Sequence, residues 1–520
     1  AVEPFAGDPA HVLGTSVKPM SDKAEGYVTE IPYLSGYFEG LSPSHMELAL
    51  LGAGLKAPDV AMACELGCGN GLSLAIHASS SACTWYANDI NPAHVATAQR
   101  MVAAGGADVR LSSESFVEFA DRKDLPQFDF IGLHGVWSWI SDSNREVIAG
   151  FLSRHLRRGG VVYLSYNVTP GWSAVLPVRE LMVEHASRAD PALPIADRIG
   201  SAIRFTDALL RMSAYGPANP GIVDFIAREM RDDRRGLAHE YFNRDWRPMP
   251  FSEVSRLLAS TGLRYACSAR YLDDMSSTAL TPRQGAELAG IVDPVLRQMA
   301  FDVVVNRRFR CDYWVRDAAV LDDSEKEAAI GRLRVIRSSV DTELPWKARA
   351  ALTINGGEPT LATVVTLLAS LTDRTEVCLS DVQAAHGRAG ISTQSYLSSI
   401  LLLAGLGIAR LAREPSVVAR TAARCASLNR YLTREAAKTG DFGYLASPVT
   451  GGGIKVDRLN QLFAGSCLEG CDHPEGWAMF ADAALAARGG GQHPYSIGHI
   501  RERAAAFTQC LPLLRSLCLI

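Results

Sequence analysis

Val60-Ala61-Met62-Ala63-Cys64-Glu65-Leu66-Gly67-Cys68-Gly69-Asn70-Gly71 decides how the chain is read: an apolar run ends in an acid, and three glycines at alternate positions follow. A short apolar run reads as a buried strand of a parallel sheet, and glycines directly after it let the backbone turn tightly and approach a ligand. Leu72 to His77 then opens a helix, so the stretch is strand, glycine turn, helix. Working outward, the rhythm repeats. Thr84 to Asp89 reads as a second strand ending in an acid, and Pro92 to Ala103 as a helix with proline at its start, where the missing N–H costs nothing. Asp108 to Leu111, Phe128 to Leu133 and Gly160 to Tyr166 read as the third, fourth and fifth strands, with a helix over Asn144 to His155. Alternating strands and helices build a doubly wound parallel sheet.

Pro170-Gly171 breaks this pattern, and the chain up to about Pro250 reads as a helical insertion, with amphipathic spacing over Val178 to His185 and Ile199 to Met212. Ser252 to Leu258 (helix), Leu263 to Ser268 (strand) and Phe309 to Val315 (strand) return to the sheet and complete seven strands. Beyond Leu321 the chain is rich in alanine and leucine, with helices over Leu361 to Leu371, Ser380 to Ala385 and Ser392 to Leu403. The expected organisation is an N-terminal arm or lid (1–45), a first part of an α/β core (46–171), a helical insertion serving as cap or dimerisation element (172–250), a second part of the core (251–320), a winged-helix-like regulatory unit (321–428) and a C-terminal unit (429–520). Glycine clusters at Gly451-Gly452-Gly453 and Gly489-Gly490-Gly491 mark the last of these. The fold class is α/β: a Rossmann-like, seven-stranded doubly wound core with a helical insertion and mostly α C-terminal domains.

At 520 residues the chain exceeds what one hydrophobic core organises. A net charge of -4 offers no positive field to nucleic acid or to an anionic membrane, so neither is expected as a partner. The longest apolar stretch, near Ile400 to Leu411, is interrupted by glycine and falls short of the ~18 residues that span a bilayer, so no membrane insertion is expected. Ala1 to Lys18 lacks the basic start and apolar run of a signal peptide, and a cytoplasmic location is expected. Of the 11 cysteines, Cys64, Cys267 and Cys311 sit in apolar runs as small core residues. Cys467, Cys471 and His473 lack a second matching pair, and no metal is expected.

The glycine spacing is Gly-x-Gly-x-Gly, not the Gly-x-Gly-x-x-Gly of a dinucleotide turn, and an acid precedes it directly. That acid opposes a pyrophosphate but tolerates S-adenosylmethionine, which has none. The expected cofactor residues are Glu65, Gly67, Cys68, Gly69, Asn70 and Gly71 at the turn, Asp89 and Ile90 after the second strand, Glu114, Ser115 and Phe116 after the third, and His134 after the fourth. Asp89 stands where a carboxylate accepts hydrogen bonds from both ribose hydroxyls, and Glu114 to Phe116 where the adenine edge and face lie. A helix cap for Asp89 and a surface acid for Glu114 are the plain alternatives. The fourth strand ends in His134-Gly135-Val136-Trp137-Ser138-Trp139 and the fifth in Ser165-Tyr166-Asn167-Val168-Thr169-Pro170-Gly171-Trp172. Ligands bind at the carboxyl ends of such strands, so these aromatic residues are expected to wall the reaction site, with core packing as the other reading.

Tyr33-Leu34-Ser35-Gly36-Tyr37-Phe38, His134 to Trp139, Ser165-Tyr166-Asn167 with Pro170-Gly171-Trp172, and His239-Glu240-Tyr241-Phe242-Asn243 resemble the bacterial class I methyltransferases that carry a methyltransferase regulatory domain, among them the rickettsial protein-lysine methyltransferases. The resemblance covers roughly residues 25 to 320. It implies a class I fold, S-adenosylmethionine as cofactor with S-adenosylhomocysteine as product, appended helical domains, a tendency to form homodimers, and a leaning toward protein or peptide lysine as acceptor. For a lysine, Tyr33, Tyr37, Trp137, Trp139, Tyr166 and Trp172 would form a channel holding the stem and ammonium by cation–π contact. For a hydroxyl, His134 would be the base. Tyr27 to Phe38, rich in tyrosine and glycine, suits a lid or a packed arm. The alternative function is a small-molecule O- or N-methyltransferase of secondary metabolism, favoured if the insertion closes a compact apolar pocket. A cofactor-binding regulatory protein is disfavoured, because both strand ends keep their aromatic residues and His134.

Overall fold

The run ahead of the glycine turn forms β1 (Met62–Leu66), the third of seven strands across the central sheet. The computed structural model describes residues 36–229, 242–243, 245–273, 275, 280–341, 343–345, 359–374, 376–386, 391–487 and 495–520. Tyr33, most of the expected arm, His239, Glu240, Tyr241 and the second glycine cluster lie outside the described residues.

Before the sheet, α1 (Pro43–Gly52) starts on a proline at its first turn, which places the expected boundary at 45/46 inside a helix. The chain then runs through β1, α2 (Leu72–Ser80), β2 (Thr84–Asn88), α3 (Pro92–Gly105), β3 (Val109–Ser112), α4 (Phe116–Ala120), β4 (Phe128–Leu133), α5 (Asp142–His155) and β5 (Leu156–Asn167). These five strands are parallel. The helical insertion follows as α6 (Leu176–Ser187), α7 (Ile195–Met212), α8 (Tyr215–Ala218) and α9 (Ile222–Glu229). The chain returns through α10 (Phe251–Ala259), β6 (Arg264–Ser268), α11 (Pro282–Ala289), α12 (Pro294–Val304) and β7 (Phe309–Val315). The sheet order is β3-β2-β1-β4-β5-β7-β6, with β7 antiparallel to both of its neighbours. This is the doubly wound, seven-stranded core that the strand pattern predicts. Helices α11 and α12 have no counterpart in the sequence reading, because Val292, Leu296 and Val303 are exposed and blur the amphipathic period that would have marked α12.

One face of the sheet buries Trp85, Phe130, Tyr163 and Tyr313 under α1 and the residues after 321; the other buries Phe128, Leu164, Tyr166 and Trp314 under α4, α5 and α10. The region after the sheet contains α13 (Asp323–Gly331), β8 (Arg334–Arg337), α14 (Leu361–Arg374), β9 (Glu376–Cys378), α15 (Leu379–His386), α16 (Thr393–Gly405) and β10 (Ala409–Leu411). Its strands form an antiparallel sheet in the order β10-β8-β9. Next comes α17 (Pro415–Ala436), 22 residues without glycine or a second proline. Nothing in that run can end a helix, so the boundary expected at 428/429 falls inside it. The hairpin β11 (Tyr444–Ser447) and β12 (Gly452–Lys455) and the helices α18 (Arg458–Leu468), α19 (Pro474–Ala486), α20 (Ile497–Phe507) and α21 (Leu511–Ser516) complete the chain. Among the described residues no helix is long and apolar enough to cross a membrane.

A buried cation fixes the returning strand. Arg310 on β7 donates to Asp312 Oδ2 (2.7 Å), Asp302 Oδ1 (2.7 Å) and Gln298 Oε1 (2.8 Å), tying the strand to α12. Removing one member of such a group leaves buried charge without its partner, at a cost of about 3–5 kcal/mol. Arg310→Ala should therefore lower the urea midpoint of the sheet's unfolding transition by a corresponding amount; an unchanged midpoint would show that the network contributes nothing to stability.

Candidate active site

β1 has β2 on one side and β4 on the other, so the connections leaving β1 and β4 diverge and open a crevice at the strands' carboxyl ends. The glycine turn edges that crevice. Gly67, Gly69 and Gly71 have φ of +70°, +55° and +75°, a region that side-chain-bearing residues rarely enter. At Gly71 a Cβ would also lie 2.4 Å from Ala98 Cβ, so glycine is what lets α2 begin against α3. The turn is tied to the second strand: Gly67 N and Cys68 N donate to Asn88 O, both at 3.0 Å, and Gly69 N donates to Asp89 Oδ2 at 2.8 Å. Asn88 also donates through Nδ2 to Glu114 O (2.9 Å), joining the end of β2 to that of β3.

Asp89 is only 8% exposed; its Oδ1 accepts from Asn91 N (2.9 Å) and lies 3.2 Å from His94 Nδ1. It is not the helix cap, because Asn91 performs that role by accepting from Ala93 N (3.0 Å). Glu114 accepts from Ser112 Oγ (2.7 Å) and pairs with Arg122, and Ser115 caps α4 in a reciprocal box with Glu118. Glu65, the turn residues Gly67 to Gly71, Asp89, Ile90, Glu114, Ser115, Phe116 and His134 all border a single cavity. Gly36, Phe38, Asn88, Val136, Asn144 and Asn243 border it too, and the sequence reading nominated none of them.

Phe38 is the most informative of these. Its ring stacks on the His134 imidazole, with centroids 3.5 Å apart, while His134 Nδ1 lies 2.8 Å from the Tyr163 hydroxyl. Among the described residues the aromatic channel expected from the sequence is not assembled. Trp139 reaches the cavity, but Trp137 is fully buried, tucked by the turn Trp137–Trp139 against Ile148, Phe151 and Leu152. Tyr166 is also fully buried and donates to Asp312 Oδ2 (2.9 Å). The reason is strand alternation: Tyr163 and Tyr166 are three residues apart on β5 and so face opposite sides of the sheet, and it is Tyr163 that meets His134. Trp172 packs with Phe225 and Trp246 in the insertion and donates through Nε1 to Arg308 O (2.8 Å). Tyr37 turns away, its hydroxyl bonded to Gly453 N (2.7 Å) and to His77 Nε2 (3.1 Å). Among the described residues no cluster of His, Cys, Asp or Glu could hold a metal ion, and His473 instead caps α19 by accepting from Gly476 N.

The electrostatics are uneven. Burial, reinforced by the neighbouring Asp89 carboxylate, pushes Glu65 up to about 8, and its Oε2 has no hydrogen-bond partner among the described residues. Burial, helped by the positive charge of Arg270, pushes His134 down to about 3, so the imidazole stays neutral.

A family model described as a methyltransferase domain matches residues 63–160, and one described as a predicted methyltransferase regulatory domain matches residues 233–316. The chain is 33% identical over 445 residues to protein sll1526 of Synechocystis, covering 84% of this chain and 87% of that one. It belongs to the class I S-adenosylmethionine-dependent methyltransferases that carry a methyltransferase regulatory domain. Protein RP789 of Rickettsia prowazekii is 27% identical over 294 residues, which is 54% of this chain and 51% of that one. The likeness of fold extends well beyond the methyltransferase match: PKMT2 from Rickettsia typhi, solved in complex with AdoHcy, superposes with a TM-score of 0.65 at 17% identity, covering 94% of this chain and 99% of that one. The regulatory-domain match runs from the end of the insertion into β7, so the regulatory label that the sequence reading put on 321–428 lies outside it.

A cationic ligand in this methyltransferase's cavity favours the carboxylate of Glu65 over its acid. S-adenosylmethionine should therefore bind with proton release below about pH 8, and more weakly as the pH falls further, by up to about tenfold per unit. Calorimetry in two buffers of different ionisation heat measures the release, and Glu65→Gln should abolish it; release that survives in this variant would place the titrating group elsewhere.

Proposed function

We propose that the chain methylates an amine, with a protein or peptide lysine as acceptor. The observation that carries the choice of amine is the state of His134. A hydroxyl acceptor needs a base whose pKa lies near the working pH. His134, the imidazole at the cavity wall, is held down at about 3, stacked on Phe38 and bonded to Tyr163. An amine that arrives neutral needs no such base. Lysine is supported by the likeness to PKMT2 over nearly the full length of both chains and by the resemblance to rickettsial protein-lysine methyltransferases.

Several features of the cavity fit the cofactor. Glu65 presents a buried oxygen without a hydrogen-bond partner among the described residues, which suits an ammonium, and this acid directly before the turn offers nothing to the pyrophosphate of a dinucleotide. Asp89, already oriented by Gly69 N and Asn91 N, would accept from the ribose hydroxyls; Glu114, Ser115 and Phe116 would border the adenine. S-adenosylmethionine supplies a methyl group made electrophilic by its sulfonium. The residues around it then have to align the acceptor and keep water out, which the stacked Phe38 and His134 rings do at one wall. A homodimer is part of this reading, supported by Phe205, Leu209 and Met212, which are exposed along one face of α7.

Asp89→Ala should weaken S-adenosylmethionine binding by about 100-fold by calorimetry, since hydrogen bonds to a charged group are worth roughly 1.5–3 kcal/mol each; wild-type affinity would refute the ribose assignment. With methyl-labelled cofactor, label should appear on lysine nitrogen in cell lysate, and label confined to oxygen would refute the amine reading. The pH–rate limb should reflect the acceptor amine and keep its position in His134→Gln; loss of an inflection in that variant would restore His134 as the base.

A further inference from the structure

Phe38 and His134 border not one cavity but two. Behind them lies a second cavity of about 590 Å³, so the stacked pair is a partition between the turn that grips the cofactor and a separate chamber. The chamber is built from Tyr163 on β5, Cys311 on β7, Arg270 and Asp273 after β6, and Glu39 and Arg410 where the N-terminal segment meets β10.

Its lining carries two carboxylates, Glu39 and Asp273, and two guanidiniums, Arg270 and Arg410, which are not paired one to one. Glu39 is committed to Arg410, with Oε1 2.6 Å and Oε2 3.0 Å from the guanidinium. Asp273 is committed to Arg307 at 2.9 Å and to Ser268 Oγ at 3.2 Å. Among the described residues Arg270 makes no direct ion pair; the Asp273 carboxylate, which it shares with Arg307, and a hydrogen bond to Cys311 act on it. Its guanidinium lies 5.4 Å from the centre of the Phe309 ring, and Phe309 in turn meets the His134 ring edge-on at 5.9 Å. The chamber therefore carries one guanidinium outside any direct ion pair, one ring away from the partition.

We propose that this chamber receives the methyl acceptor and that Arg270 binds a carboxylate carried beside the acceptor's amine. The inference rests on the amine-methyltransferase reading and adds the substrate class to it. A guanidinium presents a planar fork of donors that matches a carboxylate in two parallel hydrogen bonds, and one that makes no direct ion pair inside a partly enclosed site gains from such a partner. The same charge disfavours the ammonium form of an approaching amine and so delivers it as the nucleophile, while the carboxylate offsets the repulsion that would otherwise keep it out. A turn of the Phe38 side chain joins the two spaces; the nitrogen lone pair then forms the new C–N bond as the C–S bond breaks, and the extra proton on nitrogen leaves to water. The carboxylate has two sources, an Asp or Glu flanking a lysine in a peptide, or the α-carboxylate of a free amino acid.

The test incubates the full-length protein, and its Arg270→Gln and Arg270→Glu variants, with methyl-labelled S-adenosylmethionine and either desalted lysate protein or the free metabolite fraction, and maps the label by mass spectrometry. Label on amines flanked by a carboxylate, falling about 10- to 100-fold in Arg270→Gln and shifting toward amines flanked by Lys or Arg in Arg270→Glu, is the expected result. Which fraction is labelled distinguishes the two sources. Calorimetric binding of S-adenosylmethionine by each variant shows that it is folded. Label on amines without a neighbouring carboxylate, or flanking preferences that neither variant changes, would overturn the role of Arg270 while leaving the amine reading standing. Label on no amine in either fraction, by protein that binds the cofactor, would overturn the amine reading and this inference with it.

Discussion

Helix α2 is buried along its whole length, and the geometry of the site depends on that constraint. A helix that starts at a cofactor turn in a two-layer α/β unit would show one face to water. Here the outer face is covered: Leu72, Ala75 and Ile76 join a core with Leu428, Phe463, Trp477 and Phe507, most of it contributed by the last hundred residues. The carbonyls of Ser80 and Ser81, at the end of the helix, accept from Arg413 and Arg424, cations placed where the helix dipole favours them. The orientation of the glycine turn is thus set from both sides, by the sheet beneath it and by the C-terminal helices above.

Within that frame the site holds charge in separate compartments. The turn collects two carboxyl groups, one of them without a hydrogen-bonded partner on its second oxygen, while the chamber beyond Phe38 holds a guanidinium outside any direct ion pair among the described residues. A neutral imidazole stands between the two. The polarity suits a reaction that consumes a cationic donor on one side and takes a neutral nucleophile from the other, because each charge is positioned to compensate a ligand and the dividing group contributes none.

The strands of the core were legible because each is a short apolar run closed by a turn signal, and the turn was legible because glycine at three alternate positions marks a backbone that must pass repeatedly through positive φ. Asp89 and Glu114 could be found from their places at strand ends. What stayed hidden depends on distance in sequence. Phe38 meets His134 across almost a hundred residues, and nothing in its own neighbourhood announces that contact. Tyr166 was more prominent than Tyr163 because it ends the strand, yet the two-residue period of β5 carries it to the opposite face. Arg270 follows a strand that could be read, but its place outside the direct ion pairs is visible only once Glu39 and Asp273 are seen to be paired with Arg410 and Arg307.

The appended units therefore behave as parts of the site and not as attachments to it. The segment carrying Phe38 is held at three consecutive residues by different layers: Tyr37 by the hairpin through Gly453 N, Phe38 N by Ser73 of α2, and Glu39 by Arg410 of β10. Burial pushes the Tyr37 hydroxyl well above its usual range and His77 down to about 3, so their contact joins two neutral groups and persists across the working pH range. Individually such bonds contribute about 1 kcal/mol, too little to order a loop. Spaced along three successive residues and anchored in three separate elements, they leave the backbone of Phe38 little freedom, so movement at the partition is confined to its side chain. Any change that separates the C-terminal helices from α2 must also release Tyr37, and with it the wall between cofactor turn and chamber.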